Sequence, residues 1–214
     1  KTGLLDSKIS LEEIRKGSYI LRNGKSAGSD QISNEMLACL LDSKPEIFVK
    51  VFNSILQSPM IIKIWQLSLI SPIHKKGSKS DPKNYRGISI SSCFLKFFCA
   101  ILNQRLLYFA IENGIISETQ LGFMPGNRTS DALYLLHNLI DFYCKKSGKY
   151  LYGCFVDFSM AFDTIPRKNL FKKLLDNKIN GKFYDCLISL YTENNVFIKV
   201  ANKVTEKFRA NRGV

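Results

Sequence analysis

No two cysteines are spaced C-x-x-C, and only two histidines, His74 and His137, accompany them. That excludes the common zinc-ligand patterns. The six cysteines (Cys39, Cys93, Cys99, Cys144, Cys154 and Cys186) lie far apart with apolar flanks, so they read as reduced core thiols of a chain kept in the cytosol or nucleus. No run of consecutive apolar residues approaches the ~18 of a membrane span, and no membrane partner is expected. The opening "KTGLLDSKIS" has no apolar stretch behind its lysine, which excludes a signal peptide. It lacks an initial Met as well, and a fragment or a processed chain is the expectation. Internal repeats, low-complexity tracts and long linkers are absent too. Acidic residues are scarce: 18 Asp and Glu stand against 31 Lys and Arg, a net charge of +13 and a pI near 9.5. Such a surface suits a polyanion, nucleic acid first and an anionic membrane second.

What is present is a folding sequence. At 214 residues, with 45% apolar and 12% aromatic side chains, the chain can bury a sizeable core. "SLEEIRKGSYIL" opens with a Ser-x-x-Glu capping box, Ser10 and Glu13, ahead of apolar positions at helical spacing. A polar Gly/Ser loop, "RNGKSAGSD", leads to helices expected near 34–41 and 45–56, the second opened by Pro45. "LSLISPIHKK" (67–76) reads as a strand that Pro72 restricts to an edge or bulge, with "YRGISI" (85–90) as its partner. Helical spacing covers 94–109 and 132–143, the latter with Ser130 as cap. "KYLYGCFVDF" (149–158) reads as a buried strand. Helices follow at 166–176 and 182–191, then a hairpin over 196–210 that turns near 201–203. Helices and strands mix without strict βαβ alternation, so the fold class is α+β.

Three stretches carry possible chemistry. "HKKGSKSDPKNYR" (74–86) sets Lys75, Lys76, Lys79, Lys83 and Arg86 against Asp81 alone. A flexible tip of that charge could close over a triphosphate or a template backbone, and the composition equally fits a solvated hairpin tip. "SETQLGFMPGNRTSDAL" (117–133) is a loop shaped by Gly122, Pro125 and Gly126, with Arg128 just before a helix start. Free amides there plus a guanidinium suit a phosphate or base contact, as well as an ordinary loop-to-helix transition. In "CFVDFSMAFDTI" (154–165), Asp157 ends the expected strand at a rim where a hard cation finds oxygen ligands, and Asp163 suits a helix cap.

The order of these stretches resembles the reverse transcriptases of non-LTR (LINE-type) retrotransposons. "NGKSAGSDQISNEML", "LISPIHKKGSKSDPKNYRGISI", "QLGFMPGNRTSDAL", "FVDFSMAFDTI" and "VFIKV…FRANRGV" succeed one another as in that family, across essentially the whole chain. The resemblance implies a right-hand polymerase fold, with fingers over 1–148 and the start of the palm over 149–214, mixed helices and a short antiparallel sheet. It implies that Asp157, with the Phe158 main-chain carbonyl, holds two Mg²⁺ ions. Phe162 would press on the sugar and select deoxynucleotides, with Asp163 structural beside it. Arg86 and Lys75 or Lys76 would grip the dNTP triphosphate, while Gln120, Gly122, Phe123 and Arg128 would contact the template. The implied partners are an RNA template and a DNA primer, and the implied location is the nucleus and cytoplasm as a ribonucleoprotein. An endonuclease and the remaining palm and thumb would lie elsewhere in a longer polyprotein.

Two departures qualify that expectation. Met124 stands where a basic residue often follows "GF" in the family. No two aspartates are adjacent anywhere in the chain, whereas the family carries a paired Asp–Asp on a palm hairpin. The chain therefore looks like the front part of such a polymerase, inactive by itself. A non-catalytic RNA-binding remnant, domesticated or decayed, is the alternative.

Overall fold

The computed structural model describes residues 3–58, 63–201 and 203–213. They divide into two compact units, one of residues up to Phe109 and from Phe162 on, the other of Ala110–Ala161.

The first unit begins with a short helix α1 (Gly3–Asp6) and α2 (Leu11–Gly17). The expected capping box forms: Ser10 Oγ accepts from the Glu13 amide at 3.2 Å and Glu13 Oε2 accepts from the Ser10 amide at 2.8 Å. Helix α3 (Asn34–Ser43) is capped by Ser33, and α4 (Pro45–Gln57) starts on Pro45 as its spacing predicts. The apolar positions of α4 at i, i+4, i+7 and i+8 bury Phe48, Phe52, Ile55 and Leu56. They meet α5 (Cys93–Glu112), whose Phe94, Phe97 and Phe98 rings lie 5.0–5.5 Å from those of Phe48 and Phe52. This aromatic cluster is the centre of the core. Truncating Phe52 to Ala there costs about 3–5 kcal/mol. By length and composition α5 is apolar enough to cross a membrane. Its buried Phe97, Phe98, Ile101 and Leu102, packed as just described, make it the core helix of this unit.

The sheet is mixed. Strands β1 (Leu67–His74) and β2 (Tyr85–Ile90) form the expected antiparallel hairpin, and β3 (Asn195–Val200) turns back onto β4 (Lys203–Val204) and β5 (Phe208–Arg209). One residue of that last turn, Asn202, lies outside the described residues. A parallel pairing of β1 with β3, Leu67 opposite Asn195 through Ile70 opposite Ile198, joins the two hairpins. Sequence reading gives an antiparallel sheet only, because a parallel partner 128 residues away leaves no local turn signal. Pro72 sits opposite Gly87, two residues past the end of the parallel ladder, so the missing N–H faces no strand. The edge condition is met locally on an otherwise central strand.

In the second unit, α6 spans Thr129–Ile140 and continues as a wider helical turn over Asp141–Lys146. Ser130 is not its cap: Arg128 occupies that position, and its amide donates to Asp131 Oδ2 at 2.6 Å. The first unit resumes with α7 (Arg167–Asp176) and α8 (Lys182–Thr192). Asp6 caps α8 from the other end of the chain, its Oδ1 accepting from the Phe183 amide at 2.8 Å.

Two further expectations fail. The strand over 149–158 does not form, and Tyr150, Tyr152, Phe155 and Phe158 are exposed. An apolar run supplies side chains to bury but not the neighbouring ladder that defines a strand, and no described strand pairs with it. The cysteines also divide. Cys93 and Cys186 are buried and Cys99 half-buried, whereas Cys39, Cys144 and Cys154 are exposed, on an outer helix face, the wide turn and the unpaired segment.

Candidate nucleotide and nucleic-acid interface

The candidate residues belong to both units. Lys75, Lys76, Arg86, Phe162 and Asp163 lie in the first; Gln120, Gly122, Phe123, Arg128, Asp157 and Phe158 lie in the second.

The β1–β2 tip is more built than a flexible loop. The Lys75 amide donates to Asn84 O at 2.8 Å, and a single helical turn, Pro82–Asn84, is capped by Asp81, which accepts from the Lys83 amide at 2.9 Å. Asn84 Nδ2 donates to Ser78 O at 3.0 Å and the Tyr85 hydroxyl to Lys79 O at 2.9 Å. His74 and Tyr85 meet edge to face with ring centroids 5.2 Å apart. The only carboxylate of the tip is thus engaged with backbone. Lys75, Lys76, Lys79, Lys83 and Arg86 are exposed, and among the described residues none forms an ion pair. A bonded frame presenting five uncompensated cations is a focused positive field.

Behind β2, the loop "RNGKSAGSD" is fastened rather than loose. A Cβ on Gly28 would fall 2.6 Å from the Ser92 backbone nitrogen, so only glycine permits this approach. Asp30 Oδ2 accepts from Ser92 Oγ at 2.5 Å, and the buried Asn34 donates to Arg22 O at 2.7 Å. Composition marks this stretch as a loop; its anchoring depends on partners some 60 residues away, which composition does not reveal.

In the second unit, Gln120 Nε2 donates to Gly122 O at 2.9 Å, shaping a turn that ends in Phe123. Phe123 is 89% exposed and has φ of 63°, a left-handed backbone that a bulky residue adopts at a cost of about 1–3 kcal/mol. At the helix start, the carboxylate of Asp131 already takes the Arg128 amide. This replaces the free-amide anion site expected there and leaves the guanidinium as the positive group. Asp157 is exposed in the unpaired segment.

Phe162 and Asp163 begin the return to the first unit. Asp163 does not cap a helix: α7 starts four residues later, with Pro166 at its cap and no side-chain cap bond. The pair is held from below by the chain end. The Gly213 amide donates to Ile165 O at 3.0 Å, and a Cβ on Gly213 would fall 3.1–3.2 Å from the backbone of Asp163 and Phe162. Arg167 fixes this crossing with bonds to Gly213 O (2.9 Å), Ala210 O (2.7 Å) and Tyr191 O (3.3 Å). Its guanidinium lies 5.1 Å over the Tyr191 ring. Burial draws the Arg167 pKa below its usual value and pushes the Tyr191 phenol up. Asp163, Arg167, Tyr191 and Arg212 line a cavity of about 580 Å³. Sequence reading missed Arg167 and Gly213; an Arg–Gly pair 46 residues apart carries no local signal.

Residues 73–214 match the family described as reverse transcriptase (RNA-dependent DNA polymerase). The chain belongs to this family. This reverse transcriptase chain is 28% identical, over 91% of its length, to a probable RNA-directed DNA polymerase from transposon BS of Drosophila melanogaster. It is 31% identical over 67% of its length to the corresponding protein of the X-element, and 28% over 78% to the RNA-directed DNA polymerase from mobile element jockey, both of the same fly. It spans 21%, 16% and 18% of those relatives' lengths. The recognised relationship to non-LTR retrotransposon polymerases therefore holds, and the α+β fold agrees with it.

Reverse transcriptases generally use Mg²⁺ and dNTPs. Among the described residues of this family member, no group of three or more His, Cys, Asp or Glu gathers where a metal could sit. Asp157 and the Phe158 carbonyl offer one carboxylate, fewer than a two-metal phosphoryl-transfer centre requires. Among the described residues the donor set does not fit two Mg²⁺ ions.

Proposed function

We propose that this chain supplies the nucleotide- and template-handling part of an RNA-directed DNA polymerase, and that the 214 residues alone do not polymerise. The observation that carries the reading is the β1–β2 tip, where a bonded loop presents Lys75, Lys76, Lys79, Lys83 and Arg86 without a carboxylate partner. A triphosphate carries the complementary charge, and planar guanidinium suits bidentate phosphate binding, which gives Arg86 the gripping role. Phe162, on the segment braced by Gly213, is the residue that would press on the sugar. Phe123 offers an exposed ring to a base and Arg128 a cation to a phosphate, with Gln120 and Gly122 shaping their turn. Asp157 and the Phe158 carbonyl would contribute to metal binding beside carboxylates that these residues do not include. RNA template and DNA primer are the proposed partners, within a larger polyprotein.

A non-catalytic RNA binder is the second reading, favoured by the single carboxylate. Two measurements on the purified 214 residues separate the possibilities. RNA binding that weakens with salt and no Mg²⁺-dependent dNTP incorporation is expected. Measurable incorporation would overturn the incompleteness of the site. Absence of RNA binding at low salt would overturn both readings. An otherwise intact polymerase containing this chain and a paired-Asp hairpin distinguishes them: synthesis that Asp157→Ala abolishes supports the enzyme.

A further inference from the structure

We infer that the outer face of α7, with the turn that follows it, is a second phosphate-backbone contact for nucleic acid, separate from the β1–β2 tip. This rests on the reading that the chain works on nucleic acid, and adds a surface that reading does not use.

Helix α7 places Leu170, Phe171 and Leu174 inward, where the Phe171 ring meets those of Tyr184 and Tyr191 at 6.3 and 5.9 Å. Its outward positions are Lys168, Asn169, Lys172, Lys173 and Asp176, all exposed. Lys178 and Lys182 continue the positive charge onto the start of α8.

The charge arrangement works against the helix itself. Arg167 and Lys168 occupy the first turn, which holds no acidic residue, although the helix dipole favours anions there. Lys168 and Lys172 stand at i and i+4, a repelling spacing. Asp176 forms no ion pair with Lys172, four residues before it, or with Lys173, whereas Glu12–Lys16 and Asp141–Lys145, also four apart, close to 2.7 Å. Lys178 holds φ of 63° after the helix end, a position that favours glycine or asparagine. Among the described residues Lys168, Lys172, Lys173 and Lys178 form no ion pair, and Lys182 meets only the neutral Gln57 at 2.6 Å. An ordinary solvated helix face mixes signs; this one concentrates positive charge against the helix dipole and with like charges at i and i+4, and a polyanion laid along it relieves both.

Nucleic acid fits better than a bilayer. A membrane-surface helix pairs its cations with an apolar face free to enter lipid. Here Leu170, Phe171 and Leu174 are half-buried, the Phe171 ring against Tyr184 and Tyr191, and Leu175 is the one exposed apolar residue of the helix.

The test uses the purified 214-residue chain and its K168Q/K172Q/K173Q variant, with K75Q/K76Q/K79Q/K83Q as the comparison. Fluorescence anisotropy with a short single-stranded RNA, and with DNA of the same sequence, is followed between about 50 and 200 mM salt. Loss of three phosphate contacts lowers the log–log salt slope by about 2 and weakens binding about tenfold or more at the low-salt end. The arginine variant K168R/K172R/K173R restores the slope, and unchanged thermal unfolding shows that the glutamine variant folds. RNA and DNA responding alike identify the shared backbone; response to one alone identifies that polymer as the ligand. An unchanged slope in the α7 variant, with the tip variant reduced, overturns this inference and leaves the proposed function standing. No binding by the parent chain defeats both. Vesicles of anionic phospholipid that need the α7 lysines, while RNA does not, overturn it in favour of a membrane surface.

Discussion

Arg167 Nε donates to the carbonyl oxygen of Gly213 at 2.9 Å, tying the first residue of α7 to the end of the described chain. The same side chain serves Ala210 and Tyr191. With Arg212 O at 3.4 Å, four carbonyls on two segments thus depend on one planar fork. Arg167→Ala leaves them short of partners in a half-buried place, and a loss of about 2–4 kcal/mol follows. Arg167→Lys recovers less than half, because a single ammonium cannot reproduce the fork. Urea unfolding measures both, and hydrogen exchange reads the effect locally at the Gly213 amide, which bonds Ile165 O. Equal protection in wild type and Arg167→Ala would refute the bracing role.

Gly213 tests the other side of that crossing. It has φ of 85°, and a methyl group there meets backbone atoms of Asp163 and Phe162 at 3.1–3.2 Å. Backbone cannot swing aside as a long side chain does. Gly213→Ala is expected to cost about 1–3 kcal/mol. The added strain falls on the segment carrying Phe162, so local exchange at residues 163–165 rises more than at α4. A uniform change across both would show simple global destabilisation instead.

A pH effect follows from Glu13 and Arg105. The Arg105 guanidinium is 3% exposed and spends its donors on Glu13 Oε1 (2.6 Å), Glu13 Oε2 (2.9 Å) and the carbonyls of Leu5, Ser7 and Lys8. Burial pushes the Glu13 carboxyl up, but Arg105 and the Ser10 amide together outweigh it and hold it below the ordinary carboxylate range. A depressed folded-state pKa stabilises above the unfolded value of 4.5, and that contribution is lost as pH falls through the folded value. Glu13→Gln therefore flattens the acid side of the stability profile below pH 4.5. Arg105→Ala is harsher, about 3–5 kcal/mol at neutral pH, because it strands a part-buried carboxylate and three carbonyls. Urea midpoints measured at neutral and acid pH check both.

The thiols give a chemical readout of burial. Burial pushes Cys99 and Cys186 to about 12, which leaves them un-ionised and unreactive near neutrality. Cys93 is also raised by burial. Alkylation of the native chain is expected at Cys39, Cys144 and Cys154 first, and at the other three only on unfolding; mass spectrometry assigns the sites. Early labelling of Cys186 would contradict the packing of α8.

Legibility in the sequence followed the range of each signal. The Ser10–Glu13 box and Pro45 at a helix start rest on contacts a few residues apart and the 67–90 hairpin on two strands next to each other in the chain, and they form as read. The β1–β3 pairing, the Arg167 brace and the Gly28 approach depend on partners distant in the chain, and no local pattern announces them. The run 149–158 failed for the complementary reason: its residues suit a strand, but strand formation needs a neighbour. The family motifs were legible because their order spans the chain.

Phe162 is where sequence and structure leave the sharpest functional test. Its side chain is 57% exposed, on a segment whose backbone Gly213 approaches closely. A bulky ring on a braced backbone can exclude a 2′-hydroxyl by size, whereas a smaller side chain leaves space for it. In an active polymerase that contains this chain together with a paired-Asp hairpin, Phe162→Val or Ala is expected to raise ribonucleotide incorporation. The discrimination ratio, measured as kcat/KM for dNTP over rNTP, should fall by about tenfold or more, which corresponds to about 1.4 kcal/mol of transition-state discrimination. Incorporation of dNTP should change much less. Arg86→Ala behaves differently: it weakens dNTP and rNTP together, because both carry the triphosphate that the guanidinium would grip. An Arg86-like loss in the Phe162 variants, with the ratio unchanged, would remove Phe162 from sugar selection.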